Sequence, residues 1–163
     1  KLFSYGPALL APLAWLVTAL GARSAIGSDA FLVMHAVMVV FISAFLVFGW
    51  RRMSEGLEVW RAILSLGLVF TALGLYGFLF DLGFSVSLLP ELAYWFLAPA
   101  LGSVYTGREM EEGSPVLIGG VASLLSGAVA LYGVSAGGAV LITGLGGKAV
   151  GDFVSLTGAV RRS

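Results

Sequence analysis

The sequence predicts an all-α, polytopic integral membrane bundle with six transmembrane helices. Mean hydropathy is +1.01. Only 11% of the residues are charged, against about 25% in an ordinary soluble domain. The apolar residues are gathered into six stretches, and most Lys and Arg residues fall between alternate stretches. Such a chain cannot cover itself with a polar surface, so we expect the lipid bilayer to be its solvent and its main partner.

Each predicted span is close to the ~20 residues that a helix needs to cross the hydrocarbon layer. Backbone groups in lipid must pair within their own segment, which favours helices over strands. The spans are residues 3–20, 30–50, 62–80, 88–105, 116–134 and 136–160. Together they predict a single transmembrane domain over residues 1–163.

The boundary between the last two spans has the weakest signal. Only Gly133, Ser135, Gly137 and Gly138 indicate a turn there. The alternative is a five-span chain in which residues 131–147 form one span. Lys148 would then lie at the membrane interface, where its side chain could extend to the headgroups.

The distribution of Lys and Arg predicts the orientation of the bundle. Arg23 is the only basic residue in the loops of one side. Basic residues near the ends of spans favour the cytoplasmic side. We therefore expect both termini in the cytoplasm and the protein in the plasma (cell) membrane. The other side holds Lys1, Arg51, Arg52, Arg61, Arg108, Arg161 and Arg162.

Short sequence matches indicate an internal repeat. The segment TALG occurs at residues 18–21 and again at 71–74. Three tandem two-helix hairpins, residues 1–54, 55–110 and 111–163, would account for such matches. The alternative is chance similarity in a chain built from few residue types. A second set of matches aligns Arg51, Met53, Glu55 and Gly56 with Arg108, Met110, Glu112 and Gly113.

Composition excludes several classes of site. The chain has no cysteine, so it has no disulfide, thiolate metal ligand or cysteine nucleophile. Its net charge is +0, which argues against nucleic-acid binding. The phosphate-loop, zinc-protease and nucleophile-elbow motifs are missing, and we expect no cofactor and no bound metal. A membrane enzyme is therefore only a minor alternative.

Lys148 and Asp152 are the strongest candidate site residues. Lys148 lies in the last span, and no other Lys or Arg occurs between residues 136 and 160. Asp152 follows one helical turn later, so the two side chains share a helix face. Gly147 and Gly151 allow a neighbouring backbone to approach. Because charge in hydrocarbon must meet protein, water or a ligand, we expect an ion- or solute-binding or proton-linked pair. The alternative is an ion pair that only holds helices together.

Two carboxylates near the loop between the third and fourth spans are further candidates for ion binding. Glu91 follows Pro90, which predicts that it lies in the first turn of a helix and complements the helix dipole. With Asp81 it could instead form an acidic vestibule that attracts cations. The neighbouring Tyr94 and Trp95 are typical of an interfacial aromatic belt.

His35 is the single histidine of the chain and lies within the second span. It is a candidate for ion binding or for a proton relay, but such a relay usually needs partners. The simpler interpretation is a histidine that is hydrogen-bonded to nearby backbone close to the outer membrane surface.

Two functions follow from these features. The first is a small channel, permease or substrate-binding membrane subunit for an ion or small solute, based on Lys148, Asp152, the Gly-rich final spans and Pro99 in the fourth. The second is a non-catalytic subunit or assembly factor of a larger membrane complex, with glycine seams that contact partner helices. Homo-oligomers or other membrane subunits are the expected protein partners.

Overall fold

The computed structural model describes residues 2–52, 58–82 and 84–160, and this part of the chain is all-helical. Apart from Gly137, every residue of the predicted spans is helical, which confirms the all-α prediction. A single 3-10 turn, Trp50–Arg52, follows the second helix. The six α-helices are α1 (Leu2–Ala22), α2 (Ser28–Gly49), α3 (Glu58–Phe80), α4 (Phe84–Glu109), α5 (Ser114–Ala136) and α6 (Gly138–Val160).

A single glycine separates the last two helices. Gly137 has a φ of 114°, a backbone conformation that a residue with a side chain rarely adopts. Its N–H donates to the carbonyl of Gly133 at 3.0 Å and closes the last turn of α5. The continuous span over residues 131–147 that a five-span chain requires is therefore not formed.

Four helices, α2, α3, α5 and α6, are long and apolar enough to cross a membrane. In α1 the apolar segment is the shorter Leu9–Ala22. The described part of the chain buries ten polar or charged residues and eight apolar ones, whereas soluble proteins mostly keep polar residues outside. Large apolar side chains such as Val40 and Val47 are exposed. These features indicate a membrane-associated helical protein.

The chain forms two compact units. One contains residues 1–25 and 96–163, and thus α1, the second half of α4, α5 and α6. The other contains residues 26–95, and thus α2, α3 and the first half of α4.

In the first unit, α6 packs against both α1 and α5. Glycine makes the contact with α5 close. A Cβ at Gly151 would lie 2.5 Å from the backbone nitrogen of Ser123 and 2.9 Å from the carbonyl oxygen of Gly119. A Cβ at Gly147 would overlap the hydroxyl of Ser126. The close backbone approach predicted here is therefore confirmed for Gly151, whereas Gly147 faces the Ser126 side chain.

In the second unit, the buried face of α3 consists largely of glycine, at positions that follow the helical period. Three side chains of α4, spaced one turn apart, fill the space that larger α3 side chains would take. This packing sets α4 directly against α3. The facing pairs are Ser87 at Gly77, Glu91 at Gly74 and Trp95 at Gly67.

Several sequence predictions concern residues outside the described part of the chain. Lys1, Arg161 and Arg162, which contribute to the predicted orientation, lie there, as do Met53 and Glu55 of the predicted repeat. Gly56 of the repeat also lies there. The six-span topology, the cytoplasmic termini and the repeat therefore stay predictions.

Candidate functional site

Lys148 and Asp152 lie one turn apart on the face of α6 that packs against α5. The Lys148 side chain is 0% exposed, and Asp152 is also buried. The Lys148 Nζ lies 3.2 Å from Asp152 Oδ1. The sequence therefore identified a pair that is in contact, and Lys148 does not extend to the protein surface.

A serine of α5 completes the contact between the two charges. Lys148 Nζ donates to Ser123 Oγ at 2.7 Å, and Ser123 Oγ donates to Asp152 Oδ1 at 2.5 Å. Ser123 donates its single hydroxyl proton to the carboxylate, and a lone pair of the same oxygen accepts a hydrogen bond from the ammonium. Ser123 can take this position because Gly151 lets its backbone lie directly on α6.

Trp15 of α1 contacts both members of the pair. Its indole Nε1 donates to Asp152 Oδ2 at 2.8 Å. Its ring centroid lies 5.2 Å from Lys148 Nζ, within range of a cation–π interaction. The Trp15 ring is in turn packed 5.2 Å from the ring of Phe96, measured between centroids. The cluster formed by Trp15, Ser123, Lys148 and Asp152 is called the lysine cluster below.

Each buried polar side-chain atom of the lysine cluster has a hydrogen-bond partner within the protein. Both Asp152 oxygens accept, and no buried side-chain nitrogen or oxygen of the described residues lacks a partner. An ammonium and a carboxylate in contact are neutral together, which reduces the cost of burying them. An ion or solute that binds either charge would therefore compete with the existing contact between Lys148 and Asp152.

A second buried pair lies in the other unit, where His35 of α2 contacts Glu91 of α4. His35 Nε2 lies 2.9 Å from Glu91 Oε2, and His35 Nδ1 lies 2.7 Å from the carbonyl oxygen of Phe31. The backbone bond predicted for His35 is confirmed, but the partner carboxylate was not foreseen. We call His35 and Glu91 the histidine dyad.

The structure corrects the prediction for Glu91. Because α4 begins at Phe84, Glu91 lies in its second turn and not in the first, so the helix-dipole explanation is wrong. Asp81 is exposed in the turn after α3, with a φ of 53°, while Glu91 is buried. The two carboxylates, for which a shared acidic vestibule was the alternative interpretation, therefore lie in different surroundings.

The two aromatic residues after Glu91 pack against α3. The Trp95 indole donates to the Thr71 hydroxyl at 2.9 Å, and the Tyr94 hydroxyl donates to the carbonyl of Ile63 at 2.6 Å. The Thr71 side chain is also hydrogen-bonded to Glu91. Thr71 thus links Trp95 to the histidine dyad, a role that nothing in the local sequence signals.

The described residues contain no group of three or more His, Asp or Glu side chains that could hold a metal ion. Comparison of the chain with protein-family models, with curated proteins and with solved structures gives no match. The two buried pairs are therefore the features from which a function can be inferred.

Proposed function

We propose that this chain is a small integral membrane transport protein, a channel, permease or substrate-binding membrane subunit, for an ion or small solute. The observation that carries the proposal is the position of Lys148. Its side chain is fully buried in α6, a helix long and apolar enough to cross a membrane, and it contacts Asp152.

How much the Lys148–Asp152 ion pair contributes to the stability of the fold also bears on the proposal. Replacing a buried ion pair by apolar side chains of similar volume is often neutral or stabilises a protein by about 1–4 kcal/mol. Packing of α6 alone therefore does not require Lys148 and Asp152. Ionisable residues inside membrane helices commonly mark ion or solute pathways. A role in binding explains two charges at this position better than a role in packing.

The proposed mechanism is competition for the two charges. A cation that binds Asp152 replaces the Lys148 ammonium, and an anionic solute that binds Lys148 replaces the Asp152 carboxylate. Binding of the ion or solute and opening of the Lys148–Asp152 ion pair then occur together. Ser123 and Trp15 hold Asp152 in place through their own hydrogen bonds while Lys148 is displaced.

The proposal includes the full topology expected from the sequence. All six helices cross the membrane, the termini lie in the cytoplasm, and the membrane is the plasma membrane.

The absence of native cysteine allows single cysteines to be labelled without background. We expect Ser24→Cys, in the turn after α1, to react with an impermeant thiol reagent in intact cells. Glu111→Cys, in the turn after α4, should react only after the cells are opened. The reverse pattern would contradict the topology.

The transport proposal is tested by flux into proteoliposomes. We expect Lys148→Ala and Asp152→Ala each to abolish flux in protein that is still folded, as judged by gel filtration and circular dichroism. Gly146→Ala is the matched control, since Gly146 is exposed on the same helix and a Cβ there meets nothing within 4 Å. Unchanged flux in both charge variants would remove the proposal.

The alternative is a non-catalytic subunit or assembly factor of a larger membrane complex. One observation favours it: each buried polar side-chain atom of the lysine cluster already has a partner inside the protein. Extraction in mild detergent followed by mass measurement separates the two functions. A stable monomer or homo-oligomer supports transport, whereas obligatory co-purification with other chains supports the subunit role.

A further inference from the structure

The hydrogen-bond distances of the histidine dyad determine how many protons it holds. His35 Nδ1 lies 2.7 Å from the carbonyl oxygen of Phe31. A carbonyl oxygen can only accept a hydrogen bond, so Nδ1 must carry the proton. The tautomer of a neutral His35 is thereby fixed, and its Nε2 presents a lone pair to whatever it faces.

The partner of Nε2 is Oε2 of Glu91, at 2.9 Å. A hydrogen bond at this distance needs one proton between the two atoms. The proton can reside on His35, giving an imidazolium and a carboxylate, or on Glu91, giving a neutral imidazole and a carboxylic acid. Both descriptions contain the same number of protons, and both leave the dyad with no net charge. Without this proton, two lone pairs would face each other in a buried site.

We propose that His35 and Glu91 form a site that binds a single proton, and that the bound proton holds α2 against the first half of α4. Loss of the proton converts an attractive contact into a repulsive one between a lone pair and a carboxylate. The contact between the two helices therefore depends on proton occupancy. The dyad binds its proton whether or not Lys148 and Asp152 take part in transport.

The surroundings keep the carboxylate of Glu91 in place. Trp95 donates to the Thr71 hydroxyl, so the proton of that hydroxyl is free to be donated to Glu91. Gly74 leaves the space that Glu91 Oε2 occupies, and the His35 ring packs 4.9 Å from the ring of Phe78, measured between centroids.

The other ionisable groups of these helices that are named below are exposed or bonded elsewhere. The only salt bridge of His35 or Glu91 within the described ranges is the one between them. Asp29 of α2, Tyr76 of α3 and Asp81 after α3 are exposed, and the Tyr94 hydroxyl of α4 is bonded to the Ile63 carbonyl. The proton is therefore shared by His35 and Glu91 alone among these groups.

The single histidine makes the proposal directly measurable, because ¹⁵N-histidine labelling gives the signals of His35 only. In the full chain in lipid nanodiscs, we expect Nδ1 to remain protonated at every pH. We expect Nε2 to pass from a hydrogen-bonded state to a bare lone pair as one proton leaves on raising the pH. A protonated Nε2 beside an unprotonated Nδ1 in the neutral ring would overturn the proposal without any variant.

Glu91→Gln is the variant that separates proton binding from packing. The glutamine amide has nearly the shape of the carboxylic acid and can donate an N–H to Nε2, so the contact and the fold should persist. Over the pH range in which wild type releases its proton, we expect the His35 signals of E91Q to remain unchanged. Thr18→Ala, on the other unit, serves as the control and should behave as wild type. Identical release in E91Q and wild type would show that the proton does not belong to the dyad.

Discussion

The indole N–H of Trp15 in α1 donates to the carboxylate of Asp152 in α6, a residue 137 positions away in the sequence. The same ring lies beside the Lys148 ammonium. Trp15 thus connects the first helix of the chain to both charges of the last one. These contacts fix the position of Lys148 and Asp152 relative to α1, which the contact between the two charges alone would not do.

Loss of the indole donor should weaken this connection. Trp15→Phe keeps an aromatic ring but leaves Asp152 Oδ2 without its donor. Because an unsatisfied buried acceptor costs about 1–3 kcal/mol, we expect a drop of that size in the free energy of unfolding. Chemical unfolding in mixed detergent micelles measures it. Trp50→Phe is the control, since Trp50 is 47% exposed, and it should change stability by far less. Equal losses in the two variants would contradict a specific role for Trp15.

The second prediction concerns the close packing of α5 on α6. A Cβ at Gly151 would lie 2.5 Å from the backbone nitrogen of Ser123 and 2.8 Å from its Cα, and backbone cannot move aside as a side chain can. Overpacking of this kind costs about 1–3 kcal/mol, so Gly151→Ala should lower stability by that amount. Gly146→Ala, with open space around the added methyl group, should be at least as stable as wild type.

The third prediction concerns the coupling between the two charges. Lys148→Met leaves a buried carboxylate unpaired, and Asp152→Asn leaves a buried ammonium unpaired. Each should lower the free energy of unfolding by about 3–5 kcal/mol. The double variant contains no unpaired charge, so we expect it to lose much less than the sum of the single losses. Strict additivity in this double-mutant cycle would mean that the ion pair is not formed.

The fourth prediction links Gly74 to the histidine dyad. An added methyl group would overlap Glu91 Oε2 and lie 3.0 Å from His35 Cδ2. We therefore expect Gly74→Ala to separate His35 from Glu91 and to remove the hydrogen-bonded Nε2 signal from the ¹⁵N spectrum. Gly138→Ala, which meets nothing within 4 Å, should leave the spectrum unchanged. A wild-type spectrum in G74A would show that the dyad does not depend on this packing.

The fold class could be predicted because it rests on local properties of the sequence. The length and apolar character of each stretch predict a helix, because backbone groups in lipid must pair within their own segment. Gly137 marks the break between α5 and α6. The contact of Lys148 with Asp152 was also predictable, because a spacing of one helical turn brings both side chains to one face.

The other contacts of the two sites could not be found in this way, although His35 and Glu91 were themselves candidates. His35 and Glu91 are 56 positions apart, and Ser123 is 29 positions from Asp152. Such contacts depend on which helix faces pack together, and local periodicity does not determine that. Glu91 was misassigned because Pro90 is typical of a helix start, whereas α4 already begins at Phe84. The glycines of α3, which recur on one face, are the signal that could have indicated where α4 packs.

The most direct test of the transport proposal is flux through the charge-neutral double variant Lys148→Met/Asp152→Asn. Its fold should persist, since no buried charge is left without a partner. We predict that this variant, reconstituted at the same density as wild type, gives no flux above empty liposomes. If the double variant transports at the wild-type rate, the lysine and the aspartate only hold helices together, and the proposed binding site does not exist.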